Sequence, residues 1–200
     1  MEAEGWPLTK RFSDALEYAT RVHAGQFRKK TSVPYVSHVL GVCALVLEDG
    51  GSEDEAIAAL LHDAVEDGGG RPVLDRIRRR FGDRVADIVW ACSDTDVTPK
   101  PPWKARKQKY IDHLREAGPE VRRVSGADKV HNARAILLDY RTLGEGLWER
   151  FSASGDETLW YYREVVEALR RPERSRLVEE LERLVLEIET VSGRRPGGRP

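Results

Sequence analysis

Apolar residues recur along most of the chain at intervals of three and four, the spacing that puts side chains on one face of an α-helix. This spacing predicts helices near residues 12–22, 36–47, 53–67, 73–81, 83–91, 103–114, 121–140, 159–169 and 174–191. No stretch of convincing length alternates apolar and polar residues, which is the pattern of a strand, and no internal repeat is present. The pattern therefore predicts an all-α fold, a single helical bundle.

Polar and small residues mark where these helices begin and end. Ser52 followed by Glu55 is the signature of a capping box at a helix start. The glycine run at residues 68–70 ends the helix that follows this box. A break at Gly126 is compatible with the pattern of the long helix over residues 121–140. Residues 93–102, SDTDVTPKPP, are rich in proline and predict a loop.

The composition is that of one globular domain. The chain has 200 residues, of which 40% are hydrophobic and 34% charged, which is long enough for a substantial core and argues against general disorder. We assign residues 1–192 to the domain. The last residues, 193–200, read GRRPGGRP and predict a disordered C-terminal tail.

Net charge and apolar runs limit the partners of this protein. The formal net charge is −1, so no bulk electrostatic attraction to nucleic acid or to a membrane is expected. No segment has the length of apolar sequence required for a membrane span, and the N-terminus lacks an apolar signal core, so a cytoplasmic protein is expected. Cys43 and Cys92 have no CxxC partner and are predicted to be buried free thiols. A homo-oligomer is compatible with the sequence.

The first candidate chemistry lies in LLHDAVEDGGG, residues 60–70, where ionisable groups follow an apolar run. His62 and Glu66 are four residues apart, as are Asp63 and Asp67, so each pair shares a face of a continuous helix. Burying these groups without partners would cost roughly several kcal/mol each. A divalent metal is a natural partner for an adjacent imidazole and carboxylate. The alternative is an amphipathic helix end with solvated acidic side chains.

Two more polar residues lie in apolar surroundings. His38 lies in PYVSHVL and Asp128 in VSGADKVHNARAIL. A lone histidine on an apolar face is more often a hydrogen-bonded core residue than a ligand, but a buried aspartate needs a strong partner. Together with His62 and Asp63 they form a mixed imidazole and carboxylate set from three helices. Such a set suits manganese, iron or zinc, with positions left for water and substrate.

The ordered pattern of His, His-Asp and Asp resembles that of the HD-domain metal phosphohydrolases. More narrowly, HAGQFRKK, PYVSH, ALLHDAVEDG, FGDRV and ADKVHNAR resemble the hydrolase domain of the RelA/SpoT-type alarmone enzymes, over about residues 12–140. The resemblance implies an HD-domain helical bundle that removes pyrophosphate from the 3′ position of guanosine tetraphosphate (ppGpp) and pentaphosphate. Because no synthetase portion is present, we expect a small stand-alone hydrolase of this family.

The resemblance also implies roles for matching positions. The positions that match metal ligands are His38, His62, Asp63 and Asp128, with manganese as the expected ion. Glu66 and Asp67 match the acidic pair that orients or deprotonates the attacking water. Arg28 and Lys29 match a basic pair near the nucleotide and its phosphates, and Asn132 matches a nucleotide-contacting position. Tyr35 matches the aromatic residue before the first metal histidine, in either a packing or a ligand role.

The segment WKARKQKY, residues 103–110, follows the proline-rich loop and adds candidate phosphate contacts, among them Arg106 and Lys107. Its alternative is the exposed face of an amphipathic helix. The aromatic run WYYR at residues 160–163 suits a core or dimer contact, or a wall of the nucleotide pocket. His23, His113 and His131 have no clear partner in the sequence and are interpreted as structural.

Three functional hypotheses remain open at this point. The first is an alarmone 3′-pyrophosphohydrolase. The second is the same chemistry on another phosphorylated nucleotide or cofactor, such as an adenine analogue of the alarmone or a dinucleotide phosphate. The third is a non-catalytic nucleotide sensor that contains a metal. The intact Glu66-Asp67 pair argues against the third, because a binding module does not need it.

Overall fold

The computed structural model describes residues 8–93, 101–170 and 175–194. In chain order its α-helices are α1 (Lys10–Val22), α2 (Val36–Glu48), α3 (Glu53–Leu61), α4 (Ala64–Gly68), α5 (Arg71–Phe81), α6 (Asp83–Cys92), α7 (Trp103–Glu116), α8 (Pro119–Leu143), α9 (Gly155–Leu169) and α10 (Arg176–Ser192). A 3-10 helix, Gly144–Arg150, lies between α8 and α9. The described residues contain no strand, only an isolated bridge between Phe27 and Pro34. The predicted all-α fold is confirmed.

Side-chain caps define where two of the helices begin. At the start of α3, the Ser52 hydroxyl accepts a hydrogen bond from the Glu55 backbone N–H, and the Glu55 carboxylate accepts one from the Ser52 N–H. This confirms the predicted capping box. Ser154 and Glu157 form the same box at α9, which the sequence analysis did not single out. Removing such a cap costs about 1 kcal/mol, so these residues help to place each helix start.

The helix predicted over residues 53–67 is interrupted at the His62-Asp63 pair. The first part, α3, ends at Leu61, and α4 begins at Ala64. Asp63 has φ −97° and ψ −4°, which lies in the bridge region rather than in the regular helical region. Neither glycine nor proline lies between residues 60 and 67, so the sequence carried no signal of this break. The prediction of one continuous helix was wrong, and helical spacing alone does not set the relation of His62 to Glu66.

The long helix α8 is at the centre of the bundle and packs against α2, α3, α6 and α10. It runs unbroken through Gly126, so the break considered at that residue was wrong. A Cβ atom at Gly126 would lie 3.7–3.9 Å from the nearest side-chain atoms, which belong to Leu177 and Leu169. A glycine inside a helix costs only about 1 kcal/mol, and the packing of neighbouring helices around α8 outweighs that cost.

A buried ion-pair network holds the start of α3 against α8. The side chain of Glu55 is 5% exposed and pairs with Arg123 of α8. Arg123 also binds Asp49, just after α2, with 3.1 Å between Nε and Oδ2. A buried carboxylate is tolerated only when it is paired in this way. The network therefore fixes α3, which leads into His62, against α8, which carries Asp128.

The loop between α1 and α2 folds back on itself. The backbone N–H of Arg28 donates to the Val33 carbonyl oxygen at 2.8 Å. Lys30 adopts a left-handed conformation with φ 55°, which is unusual for a residue with a side chain. Its ammonium group donates to the Glu149 carbonyl oxygen at 2.5 Å. This contact ties the loop that carries Arg28 to the 3-10 helix.

Parts of two predicted segments lie outside the described residues, namely 94–100 of the proline-rich loop and 195–200 of the tail. The first two residues of the predicted tail do contact the domain. Gly193 caps α10 with a left-handed backbone, and Arg194 pairs with Glu145 at 2.5 Å and with Asp156 at 3.1 Å. Within the described ranges, none of the helices combines the length and apolar character needed to cross a bilayer.

Candidate metal centre and substrate cleft

Two histidines and an aspartate from separate parts of the chain meet inside the bundle. His38 lies in the first turn of α2, His62 directly follows α3, and Asp128 lies within α8. One potential ligand atom of each residue lies within 4.8 Å of the other two. Asp128 Oδ1 is 3.2 Å from His38 Nε2 and 3.8 Å from His62 Nε2, and all three residues are buried. The fold thus brings together residues that are up to 90 positions apart in the sequence.

Asp63, the fourth predicted ligand, reaches the same centre from the turn after α3. Its Oδ2 lies 2.9 Å from His62 Nε2 and 3.6 Å from His38 Nε2. The Tyr35 hydroxyl donates to the same oxygen at 2.5 Å. The sequence left the role of Tyr35 open, and the structure gives it a direct contact with a predicted ligand. We refer to His38, His62, Asp63 and Asp128 as the centre.

The hydrogen bonding of His62 leaves one ring nitrogen available to a ligand. Its Nδ1 lies 2.8 Å from the Ala59 carbonyl oxygen, and because a carbonyl only accepts, Nδ1 carries the proton. Its Nε2 is buried without a hydrogen-bond partner among the described residues, although Asp63 Oδ2 lies close to it. An imidazole held by a backbone carbonyl, with the other nitrogen facing two carboxylates, is the usual arrangement of a metal-ligating histidine. The donor set fits a divalent cation.

The carboxylates and imidazoles of the centre shift one another's pKa. Burial lowers the pKa of His62, but Asp63 and Asp128 outweigh burial and hold this pKa well above its ordinary value. Burial raises the pKa of Asp63, yet His62 and His38 hold it well below its usual range. The pKa of Asp128 is also held well below its usual range, because Lys129 and the histidines outweigh burial. The centre therefore contains two ionised carboxylates, and a divalent cation suits their negative potential.

Lys129 is a neighbour of the centre that the sequence analysis missed. Its ammonium binds Asp128 Oδ2, while Oδ1 faces the histidines. The ammonium also lies 5.1 Å from the ring centroid of Tyr110 and 5.8 Å from that of Tyr161, within cation-π range. Burial lowers the pKa of Lys129, but Asp128 outweighs burial and raises it well above its usual value. Adjacent helix positions point in different directions, so the spacing gave no hint of this contact.

His131, interpreted as structural from the sequence, lies directly against His38. The two Nδ1 atoms are 2.9 Å apart, and the ring centroids are 4.8 Å apart. Burial, followed by the charges of His38 and Arg28, lowers the pKa of His131 to about 4, so the ring is neutral near pH 7. The sequence spacing did indicate that His131 lies near the site. It is three positions after Asp128 and so shares a helix face with it, as Asn132 does at four positions.

A cavity of about 170 Å³, which we call the inner cavity, opens in front of the centre. Glu66 lines it beside Asp63, from the short helix α4. Lys107 and Lys129 line its basic side. Asp67 belongs to α4 as well, but its side chain lies outside the described part of the structure. The lining of this cavity therefore combines acidic side chains with cationic ones next to the centre.

Arg28 and Asn132 connect the cavity to the centre. Asn132 donates from its amide nitrogen to Asp128 Oδ1 at 2.5 Å. Its amide oxygen accepts from the Arg28 guanidinium at 2.7 Å. Both predicted substrate contacts therefore lie in one hydrogen-bonded chain that starts at a predicted metal ligand. The guanidinium of Arg28 also lies 5.9 Å from the ring centroid of Tyr35.

A second cavity, of about 290 Å³, adjoins the first across Arg28, Tyr35 and Asn132. Lys29 lines this outer cavity. The Asp139-Arg150 ion pair, with 2.6 Å between its closest atoms, also lines it. The apolar residues around it are Ala135, Ile136, Leu147, Phe151 and Tyr162. We refer to the two adjoining cavities together as the cleft, of which the inner cavity borders the centre and the outer cavity is lined largely by apolar residues.

The structure distinguishes two basic residues of α7 that the sequence grouped together. Arg106 donates from Nε to the Pro101 carbonyl oxygen at 3.1 Å, and the described lining of the cleft does not include it. Lys107 lines the inner cavity and lies 5.1 Å from the ring centroid of Tyr161. Burial, then Lys129 and Arg106, lower the pKa of Lys107 to about 8. A substrate contact at Arg106 stays a prediction, and Lys107 is the better-placed cation.

The cysteines and the aromatic run also take defined positions. Both cysteines are free thiols; Cys43 is buried and Cys92 is partly exposed. Burial raises the pKa of Cys43 to about 12 and that of Cys92 to about 11, so neither is an activated thiolate. Tyr161 and Tyr162 of the WYYR run are buried and also line the cleft. The same aromatic residues thus contribute to both the core and the pocket wall.

Comparison with known proteins gives a consistent result. A family model described as an HD domain matches residues 15–144, a span that contains every residue of the centre. A Xenopus tropicalis protein named guanosine-3′,5′-bis(diphosphate) 3′-pyrophosphohydrolase MESH1 is 34% identical over 126 residues, which are 62% of this chain and 68% of that protein. An Aquifex aeolicus (strain VF5) protein named guanosine-3′,5′-bis(diphosphate) 3′-pyrophosphohydrolase is 41% identical over 75 residues, 38% of this chain but 10% of that longer protein.

A solved structure resembles almost the whole chain. It is described as a metazoan ortholog of SpoT that hydrolyses ppGpp. The TM-score is 0.72 at 25% sequence identity, and the match covers 94% of this chain and 98% of that one. The similarity therefore extends past α8 into the C-terminal helices, beyond the range of the family model.

Proposed function

Because the chain belongs to the HD-domain family, we propose that it is a metal-dependent phosphohydrolase that removes the 3′-pyrophosphate from guanosine tetraphosphate or pentaphosphate. The observation that carries the proposal is the buried cluster of His38, His62 and Asp128 beside a cavity whose lining includes cationic side chains. The names of the similar frog and Aquifex proteins support the choice of substrate.

We propose that His38, His62, Asp63 and Asp128 hold a divalent cation. Two imidazole nitrogens and two carboxylate oxygens make a donor set of intermediate softness, which suits Mn²⁺, our proposed ion. When bound, such an ion lowers the pKa of water and offsets charge on the phosphoryl group under attack. The Tyr35 hydroxyl and the Lys129 ammonium each contact one carboxylate of this set, so they help to keep the ligand oxygens in position.

Glu66 is the proposed proton acceptor for the attacking water. It lines the inner cavity beside Asp63, so a water molecule in that cavity can reach its carboxylate. Asp63 lies in the helix break and Glu66 in the following helix α4, and we propose that Glu66 acts as the base while Asp63 acts as a ligand. We propose that Asp67 assists with the proton, as the family resemblance implies.

Cationic and amide groups of the cleft are proposed to bind the substrate. Arg28 can bind phosphate oxygens with two parallel N–H groups or stack on a base, while Lys107 offers a point charge in the inner cavity. Asn132 is proposed to contact the nucleotide next to Arg28. Lys29, which lines the outer cavity, and the candidate Arg106 are proposed to add positive charge for the phosphates. The apolar outer cavity offers space for the base.

The test is pyrophosphate release from ppGpp by the purified protein with Mn²⁺. Glu66→Ala is expected to lower the rate by about 100-fold or more, which is the usual contribution of a positioned general base, while Mn²⁺ affinity is retained. Glu179→Ala, at an exposed glutamate of α10, is the matched control and should keep wild-type activity.

Parallel assays distinguish the other hypotheses. An adenine nucleotide with the same phosphate groups and a dinucleotide phosphate should be hydrolysed more slowly than ppGpp. Faster turnover of either would refute the guanosine assignment while leaving the phosphohydrolase chemistry intact. Tight nucleotide binding without turnover of any of the three substrates would favour a sensor and overturn the enzyme hypothesis.

A further inference from the structure

His131 contacts one imidazole of the centre from outside the set of proposed ligands. It projects from α8, and its Nδ1 lies 2.9 Å from Nδ1 of His38. The opposite nitrogen of His38, Nε2, faces Asp128 at 3.2 Å and Asp63 at 3.6 Å. His38 therefore has one ring nitrogen towards the centre and the other towards His131.

The chemistry of imidazole fixes the direction of the bond between the two histidines. A nitrogen that ligates a metal cannot carry a proton, so a neutral His38 that offers Nε2 to the centre is protonated at Nδ1. The Nδ1–H group must then donate to Nδ1 of His131. It follows that His131 is the acceptor and carries its own proton on Nε2.

Gly41 provides the space in which the His131 ring lies. It is one helical turn after His38 on α2, and a Cβ atom at this position would lie 2.2 Å from Cδ2 and 2.3 Å from Nε2 of His131. Such distances are far below van der Waals contact, so any residue larger than glycine would displace the ring. The ring thus rests on the backbone of the helix that carries its partner.

We propose that His131 is a positioning residue that holds His38 in the tautomer and orientation required to bind a divalent metal, with Gly41 as its seat. The proposal rests on the metal centre of the proposed function. The two histidines of the centre then use different supports. His62 is oriented by the Ala59 carbonyl of its own helix, whereas His38 is oriented by a side chain from α8. Metal affinity therefore depends on how closely α2 and α8 pack.

The first test measures Mn²⁺ affinity by calorimetry on the metal-stripped full-length protein. His131→Leu keeps an apolar volume but removes the acceptor, and should weaken Mn²⁺ binding by about 10- to 100-fold, the usual effect of losing such a support. His131→Asn places an amide oxygen near the position of Nδ1 and should stay within a few-fold of wild type. His113→Leu, at an exposed histidine of α7, is the control. Equal losses in the Leu and Asn variants, or no loss in either, would overturn the proposal.

The second test uses Gly41→Ala, alone and combined with His131→Leu. If the glycine acts through His131, Gly41→Ala should weaken Mn²⁺ binding in the wild-type background and have little further effect in the His131→Leu background. Additive losses would contradict this. If Gly41→Ala does not fold, the His131 series still decides the question, because each variant is first checked for an unchanged unfolding midpoint in the absence of metal.

The tautomers themselves provide a direct readout. Long-range ¹⁵N–¹H spectra of the protein loaded with diamagnetic Zn²⁺ should show the proton on Nδ1 of His38 and on Nε2 of His131. A proton on Nε2 of His38 would refute the assignment. None of these measurements depends on hydrolysis, so a protein that binds Mn²⁺ in this way but releases no pyrophosphate would refute the proposed function and leave this inference standing.

Discussion

The charge of Lys107 is expected to make substrate binding in the cleft depend on pH. Its ammonium lies within the inner cavity near Lys129, and its pKa is lowered to about 8, first by burial and then by neighbouring positive charge. Below that pH the residue is charged and attracts phosphate. The attraction is lost as the pH rises through about 8, because the neutral amine no longer offsets the charge of the substrate.

We therefore expect kcat/KM for ppGpp to fall above about pH 8. This alkaline limb of the pH profile reports on a group of the free enzyme. Lys107→Arg keeps its charge throughout this range and should lose the limb, whereas Lys109→Arg, an exposed lysine on the same helix, should keep it. The measurement is a pH profile at saturating Mn²⁺. An unchanged alkaline limb in Lys107→Arg would rule out Lys107 as its origin.

At the scale of helices, the relation between α3 and α8 depends on a few charged contacts. Arg123→Ala would leave Glu55 buried without its cation and should lower the free energy of unfolding by about 3 kcal/mol. Arg134 also joins α8 to another helix, by a 3.4 Å pair with Glu180, but its side chain is 47% exposed. Arg134→Ala should therefore cost less than about 1 kcal/mol. Urea unfolding of both variants checks this order, and equal losses would contradict it.

Replacing either of two glycines by alanine should change the stability of the protein, but with opposite signs. In α8, Gly126→Ala adds a Cβ at ordinary contact distances and improves helix propensity, so stability should rise by up to about 1 kcal/mol. In the turn before α3, Gly51→Ala would bring its Cβ to 2.8 Å from the Val46 carbonyl oxygen, and should destabilise by about 1–3 kcal/mol. Thermal unfolding decides the signs, and a loss of stability in Gly126→Ala would show that α8 has no spare room.

At the scale of the whole molecule, the apolar core and the centre are distinct sources of stability. The core residues extend from α1 to α10, so chelation should leave the helical content unchanged. Mn²⁺ at 100 times its dissociation constant should add about 2.7 kcal/mol to the free energy of unfolding. Circular dichroism with and without chelator, and melts over a Mn²⁺ series, test both statements. His62→Ala should melt at a temperature independent of Mn²⁺. Unfolding on chelation would instead mean that the metal is required for the fold.

Local features were the ones that could be predicted from the sequence. Helices follow from an apolar period of 3.6 residues, and the Ser52 cap follows from a motif of four residues. The break at His62-Asp63 was not predictable, because neither glycine nor proline marks it. Gly126 suggested a break that is not there, because the packing of neighbouring helices around α8 outweighs the cost of about 1 kcal/mol that a glycine adds inside a helix.

The helical fold class, the HD-domain family and the residue types of the centre could all be predicted without a structure, because they depend on periodicity and on motifs that occupy short stretches of chain. The side chains that support that centre became known only from the packing of the helices. Lys129, His131 and Lys107 owe their roles to how α7, α8 and α2 pack. The contact between His131 and His38 joins residues 93 positions apart, so it exists only once α2 packs against α8. Lys129 is next to Asp128 in the sequence, but adjacent helix positions point in different directions, so the spacing did not indicate their contact.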